Sequence, residues 1–239
     1  MSEFMKLKCI LFDVDGTMAD TERDGHRVAF NLAFQEKGLD WHWSEELYGQ
    51  LLKVTGGKER INYYQTDFLK QNILTNEEIK DLHAIKTKHY IQLLESGKIP
   101  LRKGVKKLIT QAKAEKITLA ISTTTTPINV TALLRANLGK QAESLFKVIA
   151  AGDIVANKKP APDIYLYALE KLNLKARDCI AIEDSEAGLQ SAVQAGLKTI
   201  VTTNQYTKKQ DFTQAQQVHS NFSQIDTQLL KNIIGENHV

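Results

Sequence analysis

Five apolar runs rich in β-branched residues recur along the chain, and each of them ends in polar residues. Runs of this kind are typical of strands that are buried on both faces of a parallel sheet. Segments with helical spacing lie between most of the runs, and this alternation predicts a doubly wound α/β fold. From residue 205 onward the chain is polar, which predicts a loop and a last surface helix. The predicted strands span residues 8–14, 117–123, 146–151, 178–182 and 198–202.

One stretch interrupts the alternation. Between the first and second runs no strand pattern occurs, and the spacing of apolar residues instead predicts several helices. The simplest interpretation is an all-helical domain inserted after the first strand, with a turn at residues 97–100 leading back to the sheet. We therefore predict a core domain of residues 1–20 and 97–239 and a helical cap domain of residues 21–96. The predicted helices of the cap include residues 23–37, 59–71 and 76–95.

Composition excludes several classes of partner. The chain has 31 basic and 28 acidic residues, a net charge of +3, and no basic block, which argues against nucleic acid. Cys9 and Cys179 lie in apolar runs without the spacing of a zinc site, so we expect buried, reduced thiols. No apolar run reaches the ~18 residues of a membrane span, and the first residues lack the pattern of a signal peptide. We expect a cytoplasmic monomer without a membrane partner.

Acidic residues follow two of the predicted strands. Asp13-Val-Asp15-Gly-Thr stands where the first run ends and the chain turns at Gly16. Glu183-Asp184 ends the fourth run and precedes a helix. Taken alone, the first motif could be a turn or a fragment of a calcium loop, and Asp184 could be a helix N-cap. Two acidic strand ends in one sheet, however, could together supply the oxygen ligands that magnesium requires.

Two further strand ends predict a phosphate site. Ser122 ends the second run, and its hydroxyl could donate to phosphate oxygens together with backbone amides of the threonines at the start of the next helix. Alternatively, these threonines only reflect β-propensity and helix capping. Lys159 precedes a Pro-Ala-Pro segment, which would hold its ammonium group in place as a point charge. The threonines are Thr123, Thr124 and Thr125.

Taken in order, four elements of the chain resemble the motifs of the haloacid dehalogenase superfamily, in the subclass with a helical cap after the first strand. The resemblance covers about residues 7–203. It implies a sheet in the order 5-4-1-2-3, which places the first and fourth strands side by side where the strand order reverses. Asp13, Asp15 and Asp184 should meet there. The four elements are Asp13-x-Asp15-Gly-Thr, Ser122, Lys159-Pro-Ala-Pro-Asp163 and Glu183-Asp184-Ser-x-x-Gly188.

The resemblance implies a phosphatase that uses a covalent intermediate. Asp13 would attack phosphorus in line and form an aspartyl phosphate. Asp15 would protonate the leaving sugar oxygen and then activate water. Lys159 and Ser122 would neutralise or bind the phosphoryl oxygens during both steps.

The implied cofactor is magnesium. Asp13, Asp184 and the main-chain carbonyl of Asp15 would hold the ion, which would offset the charge of the phosphoryl oxygens. Glu183 also belongs to this predicted metal site, more as a residue that orients the ligands through hydrogen bonds than as a direct ligand.

Within the superfamily the chain is most similar to the CbbY-like branch, which includes xylulose-1,5-bisphosphate phosphatases and neighbours β-phosphoglucomutase. The similarity lies in residues 20–31, where the predicted cap begins, and in residues 56–60 within it. Alternatively, these segments are the charged, solvent-exposed face of ordinary cap helices. The resemblance implies that these segments determine substrate specificity, with Asp20 among the residues that bind the substrate. Lys58 and Arg60 could clamp a second anionic group, so a sugar bisphosphate is the expected substrate.

The main alternative is a mutase of the same fold, which returns the phosphoryl group to a sugar hydroxyl. In β-phosphoglucomutases a cap histidine follows the threonine that corresponds to Thr21 by four residues, and here that position is Gly25. His26 lies one residue later, and in a regular helix one residue turns the side chain by about 100°. A bulge could restore His26 to the site, so it is kept as a candidate substrate-binding residue. We expect a phosphatase, with a non-catalytic sensor of phosphorylated ligands as a third interpretation.

Overall fold

The chain consists of two compact units, a core unit and a helical unit, which are described separately. A computed structural model describes residues 6–54 and 56–235. Residues 1–5 and 236–239, which the predicted core domain includes, lie outside the described residues. The division between the units falls slightly later than the predicted boundary at residues 96 and 97. The core unit is Met1–Asp20 with Pro100–Val239, and the helical unit is Thr21–Ile99.

A parallel sheet forms the centre of the core unit. Its order within the described ranges is β3-β2-β1-β4-β5-β6, and every neighbouring pair is parallel. The predicted order 5-4-1-2-3 is therefore confirmed for the five predicted strands. β6 extends the β5 edge, in a polar region where the sequence predicted only a loop and a helix. The strands are β1 Cys9–Phe12, β2 Thr118–Thr123, β3 Val148–Ala151, β4 Cys179–Glu183, β5 Lys198–Thr202 and β6 Gln217–His219.

The two central strands are buried along their whole length. Every residue of β1 and of β4 is buried, as expected for strands that are apolar on both faces. Cys9 and Cys179 are paired neighbours in these strands, and both are free thiols without solvent exposure, as predicted. A hydrogen bond to Cys179, together with burial, raises the pKa of the Cys9 thiol, so it stays protonated.

Helices cover the sheet and complete its hydrophobic core. The helix α7 (Asp163–Leu172), for example, has an apolar stripe made of two pairs of adjacent side chains, one turn apart. This stripe is buried and packs with residues of β1, β2 and β4. These side chains are Ile164, Tyr165, Ala168 and Leu169. The α-helices of the described chain are α1 Arg27–Glu36, α2 Glu45–Leu51, α3 Gly57–Tyr63, α4 Asn76–Glu95, α5 Val105–Ala114, α6 Pro127–Leu138, α7 Asp163–Leu172, α8 Glu186–Gln194 and α9 Thr227–Gly235.

An aromatic core holds the helical unit together. Trp43, Tyr48, Phe30 and Phe34 have essentially no solvent exposure. The ring centroid of Trp43 lies 4.6 Å from that of Phe30 and 4.9 Å from that of Phe34. Aromatic side chains bury large apolar areas, so a few of them suffice to stabilise a small set of short helices.

The helical unit begins with a π-helix instead of the regular helix predicted over residues 23–37. The π-helix comprises Glu22–His26, and α1 starts at Arg27, whose N–H donates to the carbonyl of Glu22 five residues earlier. A π-helix accommodates an extra residue in its turn. The bulge that the sequence left open is therefore present next to His26.

α4 has a well-defined start. The Thr75 hydroxyl accepts a hydrogen bond from the N–H of Glu78, and the Glu78 carboxylate accepts one from the N–H of Thr75, which is a capping box. At 20 residues α4 would be long enough to cross a bilayer, but its sequence is rich in charged residues. Within residues 6–54 and 56–235, no helix combines the length and the apolar character of a membrane span.

Candidate active site

Asp13 lies directly after β1, at the carboxyl end of the sheet. Its N–H donates to the carbonyl of Ile182 in β4 at 3.0 Å, so β1 and β4 stay paired up to this residue. The chain then turns at Gly16, whose φ of +83° is a left-handed conformation that glycine adopts without strain. A Cβ atom at this position would also collide with the carboxylate of Asp184. Gly16 therefore allows the loop after β1 to approach the end of β4.

Lys159 joins three of the predicted site residues. Its ammonium nitrogen lies 2.7 Å from Asp13 Oδ1, 2.9 Å from the main-chain oxygen of Ser122 and 2.6 Å from Glu183 Oε1. Its side chain is only 8% exposed, and these three acceptors match the three N–H groups of an ammonium. The neighbouring Lys158 is 55% exposed and pairs with an aspartate on the surface.

Three carboxylates at this edge of the sheet could hold a metal ion. Ligand oxygens of Asp13, Glu183 and Asp184 lie within 4.8 Å of one another, and all three residues are buried. Asp184 Oδ2 accepts a hydrogen bond from Asn204 Nδ2 at 2.7 Å, and the Thr17 hydroxyl lies 3.4 Å from Oδ1. Carboxylate oxygens are the ligands that hard cations such as Mg²⁺ and Ca²⁺ prefer, so the donor set fits such an ion.

The charges of this cluster perturb one another. Burial and the Asp13 carboxylate raise the pKa of Glu183 to about 7, against the opposing effect of Lys159. Burial and the carboxylates of Asp13 and Glu183 raise the pKa of Asp184. Burial by itself lowers the pKa of Lys159, but Asp13 and Glu183 outweigh it, so the net pKa is raised and the ammonium stays charged. A bound cation would relieve the excess of negative charge.

Glu183 is directed toward Lys159. Its Oε1 accepts hydrogen bonds from Lys159 and from the Tyr165 hydroxyl. Its Oε2 is buried and has no hydrogen-bond partner among the described residues. A Cβ atom on Gly188 would collide with this carboxylate, so the glycine makes room for it. The contacts favour Glu183 as a residue that supports the site rather than one that faces a ligand.

Ser122 carries a polar atom that needs a partner. The residue has no solvent exposure, and its hydroxyl makes no hydrogen bond within the described chain. Burying a hydroxyl without a partner is unfavourable, so this atom is available to donate to a bound group. Thr123 is buried and its hydroxyl accepts from the N–H of Thr125 at 3.4 Å. This contact lies in the loop before α6, whose N-cap Thr126 makes no side-chain capping hydrogen bond. Thr124 is exposed, just before α6.

Asp15 and Asp20 lie on the loop that follows Asp13. Asp15 is half-buried and forms an isolated β-bridge with Ala19. Asp20 Oδ1 lies 3.5 Å from Nε of Arg102, which gives its carboxylate a partner within the core unit. The assignment of Asp20 to the substrate stays a prediction.

Arg102 was missed by the sequence analysis. Its side chain is 6% exposed. Its guanidinium donates to main-chain carbonyls at the last residue of β5 and in the loops that follow β1, β5 and β6. These partners are 86 to 118 residues away in the sequence, so no local motif could have identified it. The acceptors are the carbonyl oxygens of Gly16, Thr202, Thr203 and Ser220.

His26 is paired within the helical unit. Its Nδ1 lies 2.7 Å from Nζ of Lys86, and its ring stacks on Tyr90 with centroids 3.9 Å apart. Lys86 is 6% exposed, and its ammonium lies 5.0 Å from the ring centroids of both Phe30 and Tyr90. Burial and the charges of Lys86 and Arg60 lower the pKa of His26, so the imidazole is neutral and its Nδ1 accepts from Lys86.

The guanidinium of Arg60 is engaged within its own unit, which argues against its predicted role as an anion clamp. It is buried in α3 and donates to the carbonyls of Leu51 and Val54 and to the hydroxyl of Tyr48. These contacts hold α2, α3 and the turn between them together. Lys58 is exposed and remains a candidate for binding an anion.

Comparisons with known proteins assign the chain to a family. The family model for the haloacid dehalogenase-like hydrolases matches residues 7–196. The chain is 50% identical to protein CbbY of Rhodobacter capsulatus over 211 residues. The aligned residues make up 88% of the chain and 92% of that protein. It is 28% identical to the phosphorylated carbohydrates phosphatase of Thermotoga maritima, over 81% of the chain and 84% of that protein.

A solved structure agrees with these matches. CbbY from Rhodobacter sphaeroides is 44% identical to the chain, with a TM-score of 0.77 over 90% of the chain and 95% of that protein. It was crystallised with phosphate and, as a mutant, with xylulose-(1,5)bisphosphate. The chain therefore belongs to the haloacid dehalogenase-like hydrolases, and it is a phosphatase of this family.

Proposed function

We propose that the chain is a magnesium-dependent phosphatase that hydrolyses a small sugar phosphate, and that its substrate is a sugar bisphosphate such as xylulose 1,5-bisphosphate. The observation that carries this proposal is the contact of Lys159 with Asp13, Ser122 and Glu183, next to the carboxylate of Asp184. A nucleophile, a fixed cation and carboxylates for a metal are the parts that phosphoryl transfer needs. The 44% identical relative crystallised with xylulose-(1,5)bisphosphate supports the choice of substrate.

Asp13 is the proposed nucleophile. Its carboxylate attacks phosphorus, the bond from phosphorus to the sugar oxygen breaks, and the phosphoryl group is carried on Asp13 as an aspartyl phosphate. Asp15 gives its proton to the leaving sugar oxygen. It then takes a proton from a water molecule that attacks the phosphoryl group, which releases inorganic phosphate and restores Asp13.

Lys159 orients the attacking group in this proposal. Because its ammonium occupies Asp13 Oδ1, attack falls to Oδ2 of the same carboxylate. The ammonium also offsets negative charge that develops on the phosphoryl oxygens. Glu183 and Tyr165 hold the lysine from the other side through the shared Oε1 atom.

The remaining phosphoryl oxygens need donors and a cation. The unpartnered hydroxyl of Ser122 and the backbone N–H groups of residues 123–125 are the proposed donors. Asp13, Asp184 and the main-chain carbonyl of Asp15 are the proposed ligands of Mg²⁺. When bound, the ion supplies positive charge that stabilises the phosphoryl oxygens in the transition state.

The test is phosphate release from a panel of sugar monophosphates and bisphosphates, with and without Mg²⁺. We expect the fastest release from a bisphosphate, loss of activity in excess chelator and recovery on adding Mg²⁺. If compounds of the panel bind to the protein but none of them releases phosphate under either condition, the chain is a sensor of phosphorylated ligands and the proposal is wrong.

A second candidate function is a mutase of the β-phosphoglucomutase type, which one observation favours. The argument against it assumed a regular helix after Thr21, but the π-helix Glu22–His26 replaces that helix and brings His26 onto Lys86. The test is to incubate β-glucose 1-phosphate with catalytic glucose 1,6-bisphosphate and to follow glucose 6-phosphate and free phosphate together. Formation of glucose 6-phosphate much faster than the best hydrolysis rate would identify a mutase.

A further inference from the structure

The loop after β5 presents a side-chain amide to the acidic cluster. Asn204 follows β5 closely, and its Nδ2 lies 2.7 Å from Asp184 Oδ2. Asp184 itself directly follows β4, the neighbour of β5 in the sheet. The contact therefore joins two adjacent strand ends at the edge where the candidate site lies.

The orientation of this amide is determined by its own loop. Asn204 Oδ1 accepts hydrogen bonds from the N–H groups of Tyr206 and Thr207, at 2.8 and 3.2 Å. The N–H of Asn204 in turn donates to the Thr207 hydroxyl at 3.1 Å. An amide side chain has one oxygen and one NH₂ group, so the two backbone donors fix the oxygen toward the loop. The NH₂ group must then face Asp184.

Two other residues hold this loop against the one that carries Asp13. Arg102 donates to the carbonyls of Thr203 and Gly16, one in each loop. A Cβ atom at Gly16 would lie 2.7 Å from Asn204 Nδ2 and would collide with the Asp184 carboxylate. The contact between Asn204 and Asp184 thus depends on a glycine at position 16.

We infer that Asn204 is a positioning residue for the metal site, which holds Oδ2 of Asp184 so that Oδ1 is presented to the cation. This inference rests on the proposed magnesium-dependent function. Among the described residues the other hydrogen-bonding group near the carboxylate is the Thr17 hydroxyl, at 3.4 Å. This distance is longer than a normal O–H to carboxylate hydrogen bond, so Thr17 cannot fix the group by itself. Removal of a partner that orients a metal ligand weakens metal binding by about 10- to 100-fold.

Two variants of Asn204 and one neighbouring control test the inference. Asn204→Ala removes both the donor and the acceptor of the side chain. Asn204→Ser keeps an oxygen that can accept from the backbone N–H groups of its own turn but is too short to reach Asp184. Gln205→Ala is the matched control, since Gln205 is the exposed next residue of the same loop. Circular dichroism and thermal unfolding establish that each protein is folded.

The direct measurement is Mn²⁺ binding, followed by the loss of the electron paramagnetic resonance signal of the free ion, with Mn²⁺ as the probe for Mg²⁺. We expect the dissociation constants of both Asn204 variants to rise by about 10- to 100-fold and that of Gln205→Ala to stay unchanged. If the wild type binds Mn²⁺ and both Asn204 variants bind it equally well, the inference is overturned. If the wild type does not bind the ion, the proposed magnesium-dependent function fails with it.

Kinetics give a second readout that a general structural defect would not reproduce. For both Asn204 variants the Mg²⁺ concentration for half-maximal phosphate release should rise, while kcat at saturating Mg²⁺ returns close to the wild-type value. A loss of kcat at saturating Mg²⁺ with an unchanged metal requirement would overturn the inference, because Asn204 would then act on another step.

Discussion

Lys159 compensates two of the three buried carboxylates of the site, since its ammonium contacts both Asp13 and Glu183. Lys159→Met keeps the apolar stem and removes the charge. We expect turnover to fall by about 100-fold or more, because an oriented charge is lost from the reacting group. The free energy of unfolding should fall by about 3 kcal/mol, because two carboxylates remain buried without a counterion. Steady-state phosphate release and urea unfolding measure the two effects.

Lys158→Met is the matched control for this prediction. Lys158 has the same chemistry, but it is 55% exposed and its ion pair is on the surface. Surface ion pairs of this kind contribute little, so the free energy of unfolding should change by less than about 1 kcal/mol and turnover should not change. Equal losses in the two variants would show that net charge, rather than the contacts of Lys159, is responsible.

Asp13 offers the sharpest test of covalent catalysis. Asp13→Asn is nearly isosteric and can still accept a hydrogen bond from Lys159, but it lacks the attacking charge. We expect a folded protein with no measurable phosphate release. If the variant keeps more than about a thousandth of the wild-type rate, a covalent role that contributes ~4 kcal/mol or more is excluded.

Single residues differ in how well the sequence predicts them. Asp13 and Asp184 could be proposed as site residues because each ends an apolar run, a pattern that a few neighbouring residues define. The burial of Arg60 was not predicted, because its neighbours in the sequence do not indicate its contacts with the carbonyls of Leu51 and Val54. Asn204 carries no motif, and its role depends on Asp184, 20 residues away.

At the scale of elements, the π-helix Glu22–His26 shows where a regular pattern fails. Gly25 lies inside it, and a Cβ atom there would collide with the side chains of Ile99 and Tyr90. Gly25 is therefore required by close packing, but a single glycine in a helical pattern does not by itself predict a π-helix. The strand order, in contrast, was predictable because crossover connections between parallel strands allow few alternatives.

Arg102 connects three loops that follow strands, and we expect it to matter for their stability. Arg102→Met would leave several partly buried carbonyls without this donor and would remove the ion pair with Asp20. The free energy of unfolding should fall by about 3 kcal/mol or more, since each unsatisfied buried group is unfavourable by about 1–3 kcal/mol. Urea unfolding of the core measures the loss. Arg135→Met is the control, because Arg135 is 57% exposed in its pair with Glu143, and a comparable loss there would refute the expectation.

His83 on α4 makes the stability of the helical unit depend on pH. Burial and the charges of Lys86 and Lys58 lower the pKa of His83 from 6.5 to about 4. A base with a lowered pKa contributes stability that is complete above pH 6.5 and is lost as the pH falls toward 4, because the unfolded chain then binds the proton more readily.

His83→Asn should therefore reduce the difference in unfolding free energy between about pH 7.5 and about pH 4.5. His42→Asn, at an exposed position of the same unit, should leave that difference unchanged. Urea unfolding at the two pH values decides the matter. The same pH dependence in wild type and His83→Asn would show that His83 does not cause it.

At the scale of the whole molecule, the helical unit is proposed to select the substrate. Lys58→Met should raise KM for a sugar bisphosphate by about 10-fold and leave KM for the corresponding monophosphate almost unchanged, because only the bisphosphate has a second anion to bind. Arg60→Ala should instead lower the stability of the helical unit and affect both substrates alike, since its guanidinium bonds to the protein. Initial rates on the two substrates separate these outcomes, and equal effects of Lys58→Met on both would contradict the proposal.

The sequence predicted the large-scale organisation better than the details of the site. Alternating apolar runs and helical segments identified the sheet, and the gap in that alternation identified the inserted helices. β6 was missed because Gln217–His219 is short and half-exposed, so it lacks the apolar pattern of the other strands. The contacts made by Arg102 and Asn204 could not be predicted from the sequence, because they depend on which loops the folded sheet brings together.

The position of β1 in the sheet has a consequence for how the protein is made. Among the strands of the described sheet β1 is made first, and its two neighbours, which pair with it from Thr118 and Cys179, are made much later. The nascent chain therefore carries an apolar strand with two open edges until β2 is made and with one open edge until β4 is made. Contacts of such large sequence separation form slowly. Molecular chaperones that shield extended apolar segments should favour the yield of this protein. Lys159 and Asp13 are 146 residues apart, so their contact can form only after β2 and β3, which lie between them in the sequence, have been made.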